Sequence, residues 1–160
     1  VITAHVERLI DTLEELKPLF VPHHAELALY QDKMPLSPKY PLYLELEAKG
    51  RVLYVTLRDA GRIVAYFVGF HDTGLHYSET LCLQMDIFWL HPDYRDDDSL
   101  TDVEAHMLCI QLFTKVREEA KRRGVKEWHL GSKFHKGAGR VFEELGLTQS
   151  EVYYSQWIGD

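Results

Sequence analysis

At 160 residues the chain fits one domain and is long enough to bury a core of its own, and 46% apolar with 27% charged residues is ordinary for a globular protein. A formal net charge of -7 excludes general affinity for nucleic acid, which needs clustered Lys and Arg to neutralise phosphates. No stretch approaches the roughly 20 apolar residues of a membrane span, and Val1 to Arg8 lacks a signal-peptide pattern, so the expected location is the cytoplasm.

In chain order, a helix is expected from about Thr3 to Lys17, where Val6, Leu9, Ile10, Leu13 and Leu16 follow helical spacing and Pro18 stops it. Pro22, Pro35, Pro38 and Pro41 punctuate the next region. It is expected to carry a short helix around His24–Tyr30 and another from Leu42 to Ala48, closed by Gly50. Strands follow at Val52–Leu57 and Arg62–Phe70 around the turn residues Arg58-Asp59-Ala60-Gly61. The second of these is apolar on both faces from Ile63 to Phe70, the pattern of a central, doubly covered strand.

After a loop at Asp72–Gly74, a further strand is expected from about Leu81 to Leu90, ending at His91-Pro92. Alternation puts Cys82, Gln84, Asp86 and Phe88 on one face, with Leu83, Met85, Ile87 and Trp89 on the other. A carboxylate at Asp86 on such a strand must be paired, solvated or functional. A long helix is expected from about Thr101 to Arg123, burying Val103, Met107, Ile110, Phe113, Val116 and Ala120 and closed by Gly124; its cap falls to Ser99 or Thr101, with Asp102 or Glu104 completing a capping box. A strand at Lys126–Gly131, a helix at Ala138–Leu145 and a last strand at Glu151–Ile158 complete the order. The whole reads as a single α/β domain over residues 1–160, with a mixed sheet and helices on both faces.

Cys82 and Cys109 lie in apolar surroundings, too far apart in sequence for a metal motif. They are expected as buried free thiols of a reducing compartment, with a disulfide left open. His23-His24 lacks a partner spacing for zinc and reads as loop chemistry. The run Asp96-Asp97-Asp98 lacks EF-hand spacing. No metal site is expected.

The hairpin Arg58-Asp59-Ala60-Gly61-Arg62-Ile63-Val64-Ala65-Tyr66, the segment Phe88-Trp89-Leu90-His91-Pro92-Asp93-Tyr94-Arg95 and the segment Phe142-Glu143-Glu144-Leu145-Gly146-Leu147 together resemble the GNAT acyltransferases over nearly the whole chain. Leu75-His76-Tyr77, Met85-Asp86-Ile87-Phe88 and Lys133-Phe134-His135 are similar to a subgroup often encoded by bacteriophages. The resemblance implies a GNAT-like, mostly antiparallel central sheet and acetyl transfer from acetyl-CoA to an amine. It implies that the main chain at Ile87, Phe88, Trp89 and Leu90 holds the pantetheine arm. Arg95 and the backbone amides of Asp96, Asp97, Asp98, Ser99 and Leu100 would then hold the phosphates, and Asp86 would be the general base.

The chain departs from the family at two places. The family's phosphate loop reads Arg/Gln-x-x-Gly-x-Gly/Ala, its glycines letting backbone amides approach the phosphates at a helix N-terminus. Here Asp98 and Leu100 stand at the glycine positions. Carboxylates a few Å from a pyrophosphate repel it by about 1–4 kcal/mol per pair near a surface. One reading is a self-capped acidic turn that stabilises the helix start; the other turns the aspartates outward while the backbone still binds CoA. In the late helix, Phe142 replaces the Tyr that protonates the departing thiolate in many members. His135 and Tyr154 are the alternative acids, and His76-Tyr77 with Tyr153-Tyr154 are candidates for the border of the acceptor pocket. The other expectation is a GNAT-like phage protein without turnover, serving in the virion or against a host protein partner.

Overall fold

The computed structural model describes residues 1–96, 100, 102–134 and 137–160. Its elements are β1 (Thr3–Val6), α1 (Leu9–Leu27), α2 (Tyr40–Ala48), β2 (Val52–Asp59), β3 (Arg62–Gly74), β4 (Tyr77–Leu90), α3 (Val103–Arg122), β5 (Glu127–His129) and α4 (Gly139–Glu144). The strands form one sheet in the order β1-β2-β3-β4-β5, antiparallel except for the β4–β5 pair. This is the mixed, mostly antiparallel sheet that the sequence leads one to expect.

Strand β3 occupies the centre because it is apolar on both faces. It pairs with β2 and β4, and its residues Ile63 to Val68 are all buried. Phe67 points into a core with Leu53, Leu57 and Leu83, roofed by Leu112, Phe113 and Val116 of α3 and Phe142 of α4. Tyr66 and Val68 enter a second core with Tyr54 and Trp89, roofed by Leu9, Leu16 and Phe20 of α1. Each such side chain taken from water contributes about 1.5–3 kcal/mol. The β2–β3 turn is tight: Asp59 pairs with Arg62, and Ala60 and Gly61 both take positive φ, 46° and 83°, as a two-residue turn of this hand requires.

The N-terminal region departs from expectation. Thr3–Val6 pairs with β2 as an edge strand, from Thr3 opposite Arg58 to Val6 opposite Val55, so the helix begins only at Leu9. It then runs through both Pro18 and Pro22 to Leu27, absorbing the helix expected at His24–Tyr30. A proline inside a helix costs roughly 3 kcal/mol. Burial of Leu9, Leu13, Leu16, Phe20 and His23 along one stripe offsets that cost. No side chain at position 8 caps this helix; Glu47 of α2 instead accepts the amides of Leu9 at 2.5 Å and Ile10 at 3.0 Å.

Residues Asp72 to Gly74 belong to β3, and β4 starts at Tyr77, where Gly74 pairs with it. On α3 the buried side comprises Ala105, Leu108, Cys109, Leu112, Phe113, Val116, Glu119 and Ala120, while Val103 and Met107 are exposed. Ala105 and Cys109 are buried instead, in the core shared with β2, β3 and β4. The strand expected at Glu151–Ile158 does not form, and these residues have no regular structure. Strand β5 is only three residues long and offers little ladder for a further strand to extend. Among the described residues, Trp157 ties the segment to the rest of the chain, beside Tyr30 and under Lys33. Among the described residues no helix is long and apolar enough to cross a membrane.

Candidate functional site

Strand β4 carries the site. Its register with β3 runs from Leu90 opposite Ala65 to Ile87 opposite Val68, then jumps to Met85 opposite Gly69. Asp86 is therefore the extra residue of a β-bulge. The bulge breaks the simple alternation expected along the strand. Leu83, Met85, Phe88 and Leu90 all pack on the α3 side, whereas Ile87 and Trp89 join the α1 side. Phe88 thus shares a face with Leu83, not with Cys82. Gly69 leaves room for the irregularity, because a Cβ there would lie 2.9 Å from both Leu83 Cδ1 and the Phe67 ring.

Water reaches the Asp86 side chain, yet surrounding protein weakens its hydration enough to raise its carboxyl above the ordinary range. Tyr43 of α2 donates its hydroxyl to Asp86 Oδ2 at 2.5 Å, which partly offsets that rise. Burial, then the bond to Asp86, pushes the Tyr43 phenol well above its usual value. The pair is a solvent-reachable carboxyl of increased proton affinity, fixed in position by a phenol that stays neutral.

The parallel ladder between β4 and β5 covers only Cys82 to Gln84 opposite Glu127 to His129. Among the described residues, no strand pairs the outer edge of β4 from Met85 to Leu90. The strands therefore part next to the bulge. The main chain of Ile87, Phe88, Trp89 and Leu90 is paired to β3 on one side and open to a further partner on the other.

The segment after β4 is built inward. Arg95 donates from Nε to the Leu90 carbonyl at 2.9 Å and from its other end to Glu26 Oε2 at 2.5 Å. Its side chain is 3% exposed. Glu26 Oε2 also accepts the Trp89 indole N–H at 3.0 Å, so one carboxylate of α1 ties down the end of β4. Asp102 caps α3, accepting the amide of Ala105 at 2.8 Å, and its other oxygen accepts the amide of Asp96 at 3.2 Å. Leu100 adopts φ 55°, a left-handed conformation natural to glycine, with its side chain in the α3 core. Asp97, Asp98, Ser99 and Thr101 lie outside the described residues.

Among the described residues, the side chain that hydrogen-bonds Asp86 is Tyr43, not one of the expected acids. Phe142 is buried and meets the Phe113 ring edge-on at 5.1 Å. Tyr154 is 94% exposed on the irregular C-terminal segment, and Tyr153 beside it is also exposed. His76 and Tyr77 sit exposed at the β3–β4 turn. His135 lies outside the described residues. His23 is no loop residue: it is buried on α1, its Nδ1 2.6 Å from the Tyr66 hydroxyl and its ring stacked on Trp89. Desolvation lowers it to about 4. Both cysteines are free thiols.

No family model matches the chain, and no curated protein does. Solved structures do superpose on it over its whole length. A ribosomal-protein-alanine N-acetyltransferase from Brucella melitensis biovar Abortus 2308 matches with TM-score 0.70 at 16% identity, covering 100% of this chain and 99% of the other. An aminoglycoside acetyltransferase from an uncultured soil metagenomic sample matches with TM-score 0.71 at 10% identity, covering 99% of each chain. A predicted acetyltransferase from Clostridium acetobutylicum, solved with acetyl-CoA, matches with TM-score 0.61 at 11% identity, covering 99% of this chain and 97% of the other. The fold is that of the GNAT acetyltransferases.

Proposed function

We propose that this chain is an N-acetyltransferase that uses acetyl-CoA and acts on an amine by direct transfer. The observation carrying this reading is that Asp86 stands in a bulge at the point where β4 and β5 part. An open strand edge thus lies next to a base of raised proton affinity. Acetyl-CoA supplies an activated carbonyl as its thioester. The unpaired edge of Ile87–Leu90 fits an extended, amide-bearing arm, because its backbone groups can complete the pairing that β5 does not. Asp86 accepts the proton that the amine loses as its nitrogen bonds to the acyl carbon, directly or through a water molecule. Tyr43 keeps the carboxylate in place. Arg95 acts from behind, holding the end of β4 against Glu26, and the backbone from Asp96 to Leu100 is the place for the phosphates. With Tyr154 exposed, the departing thiolate takes its proton from solvent or from His135.

A second reading is favoured by one observation: Asp102 already satisfies the amide of Asp96, in the stretch where a phosphate would need free donors. In that reading the chain keeps the fold without turnover and serves as a phage structural or host-interacting protein. A thermal-shift and calorimetric titration with acetyl-CoA separates the two, since tight binding stabilises the native state by mass action. The enzyme reading expects saturable stabilisation and tighter binding for Asp98→Gly. No shift at millimolar acetyl-CoA sinks it.

A further inference from the structure

The last rungs of the β4–β5 ladder bring together three side chains that the acetyl-transfer reading does not use. Cys82 of β4 stands opposite Glu127 of β5, and His129 follows two residues later, so all three project from the same face of the sheet. Their donor atoms, one thiol sulfur, one carboxylate oxygen and one imidazole nitrogen, lie within 4.8 Å of one another. His129 Nε2 is 3.3 Å from Glu127 Oε1. The Cys82 thiol makes only a weak contact to the Thr80 carbonyl at 3.8 Å. Across the sheet, Asp72, which pairs with Cys82, is engaged with Arg51.

We propose that Cys82, Glu127 and His129 form a zinc site that clamps β4 to β5 where the two strands are about to part. A sulfur–nitrogen–oxygen donor set selects a borderline-soft divalent ion over magnesium or calcium, which prefer all-oxygen shells. Thiolate and carboxylate together balance the two charges of the ion, and the thiol proton passes to solvent on binding. Three protein ligands leave the fourth tetrahedral position to water or another small ligand, the arrangement of open zinc sites. All three residues are solvent-reachable, Cys82 and His129 partly and Glu127 more so, so the ion needs no unfolding to enter. The site stands or falls independently of acetyl transfer.

The test is titration of the metal-free full chain with zinc by calorimetry and with cobalt(II) by absorption. One zinc per chain is expected, with a cobalt–thiolate charge-transfer band in the wild type and in Cys109→Ala but absent in Cys82→Ser. His129→Ala is expected to weaken zinc binding by at least about tenfold, the loss that even changes behind the ligands cause. Glu127→Gln, at an exposed position that leaves both cores untouched, is expected to weaken it as well and so guards against loss by misfolding. Absence of saturable equimolar binding overturns the proposal, as does undiminished affinity in Cys82→Ser and His129→Ala.

Discussion

Asp86 and His23 are displaced from their ordinary range by one cause acting with opposite sign, because loss of hydration disfavours a charged acid and a charged base alike. For Asp86 the folded value lies above the unfolded one, so the folded chain binds that proton more tightly and stability declines as pH rises through the folded value. Above the folded value that penalty is fully present. Asp86→Asn is therefore expected to leave the melting temperature at pH 7 unchanged or raised, while lowering kcat/KM for acetyl transfer by about 10²–10⁴. A variant that is fully active would remove Asp86 from the chemistry. His23 runs the other way. A fall from 6.5 to about 4 corresponds to on the order of 3 kcal/mol, present above about pH 6.5 and lost as pH drops towards 4. Chemical unfolding across that window should show the loss. His23→Leu should flatten it, although it costs stability at pH 7 by leaving the Tyr66 hydroxyl without its partner.

Among the elements, β4 is the one whose shape depends on a neighbour. Gly69 admits no side chain without moving Leu83 or Phe67, both fully buried, so Gly69→Ala is expected to cost roughly 1–3 kcal/mol and to disturb Asp86 as well. A denaturant series paired with an acetylation assay distinguishes loss of fold from loss of bulge. On α3, Asp102→Ala should cost about 0.5–2 kcal/mol as a lost cap, and it frees the amide of Asp96; weaker acetyl-CoA binding in this variant would contradict the view that the carboxylate competes with phosphate. Strands β2, β3 and most of β4 were legible from runs and alternation of apolar residues, and so was the position of Asp86 on β4. The bulge was not, because it depends on Gly69, a residue of the adjacent strand. Nor was Tyr43, whose pairing with Asp86 spans 43 residues, or Glu26, the partner of Arg95. Pro18 reads as a stop because local propensity is the only term a sequence shows; burial against the sheet outweighs it. The Cys82–Glu127–His129 group was equally hidden, since register and not spacing assembles it.

At the scale of the molecule, two cores share one sheet, and β3 belongs to both. Residues 151–160 belong to neither, being exposed except for Trp157. A chain lacking them is expected to keep its fold, with a melting temperature within about 3 °C of the full chain, near what 1 kcal/mol shifts in a domain this size. A larger fall would mean that Trp157, beside Tyr30, covers more than its contacts show. The same division separates the sheet in time. Amides in the middle of β3, paired on both sides and covered on both faces, should exchange with solvent deuterium only when the whole chain opens, and so should report its full stability. The three rungs between β4 and β5 lie at the other extreme, a short zip end that can fray while β3 stays protected. A guest sliding along the outer edge of β4 would then widen the gap one rung at a time, on the timescale of local opening and far below the barrier to unfolding.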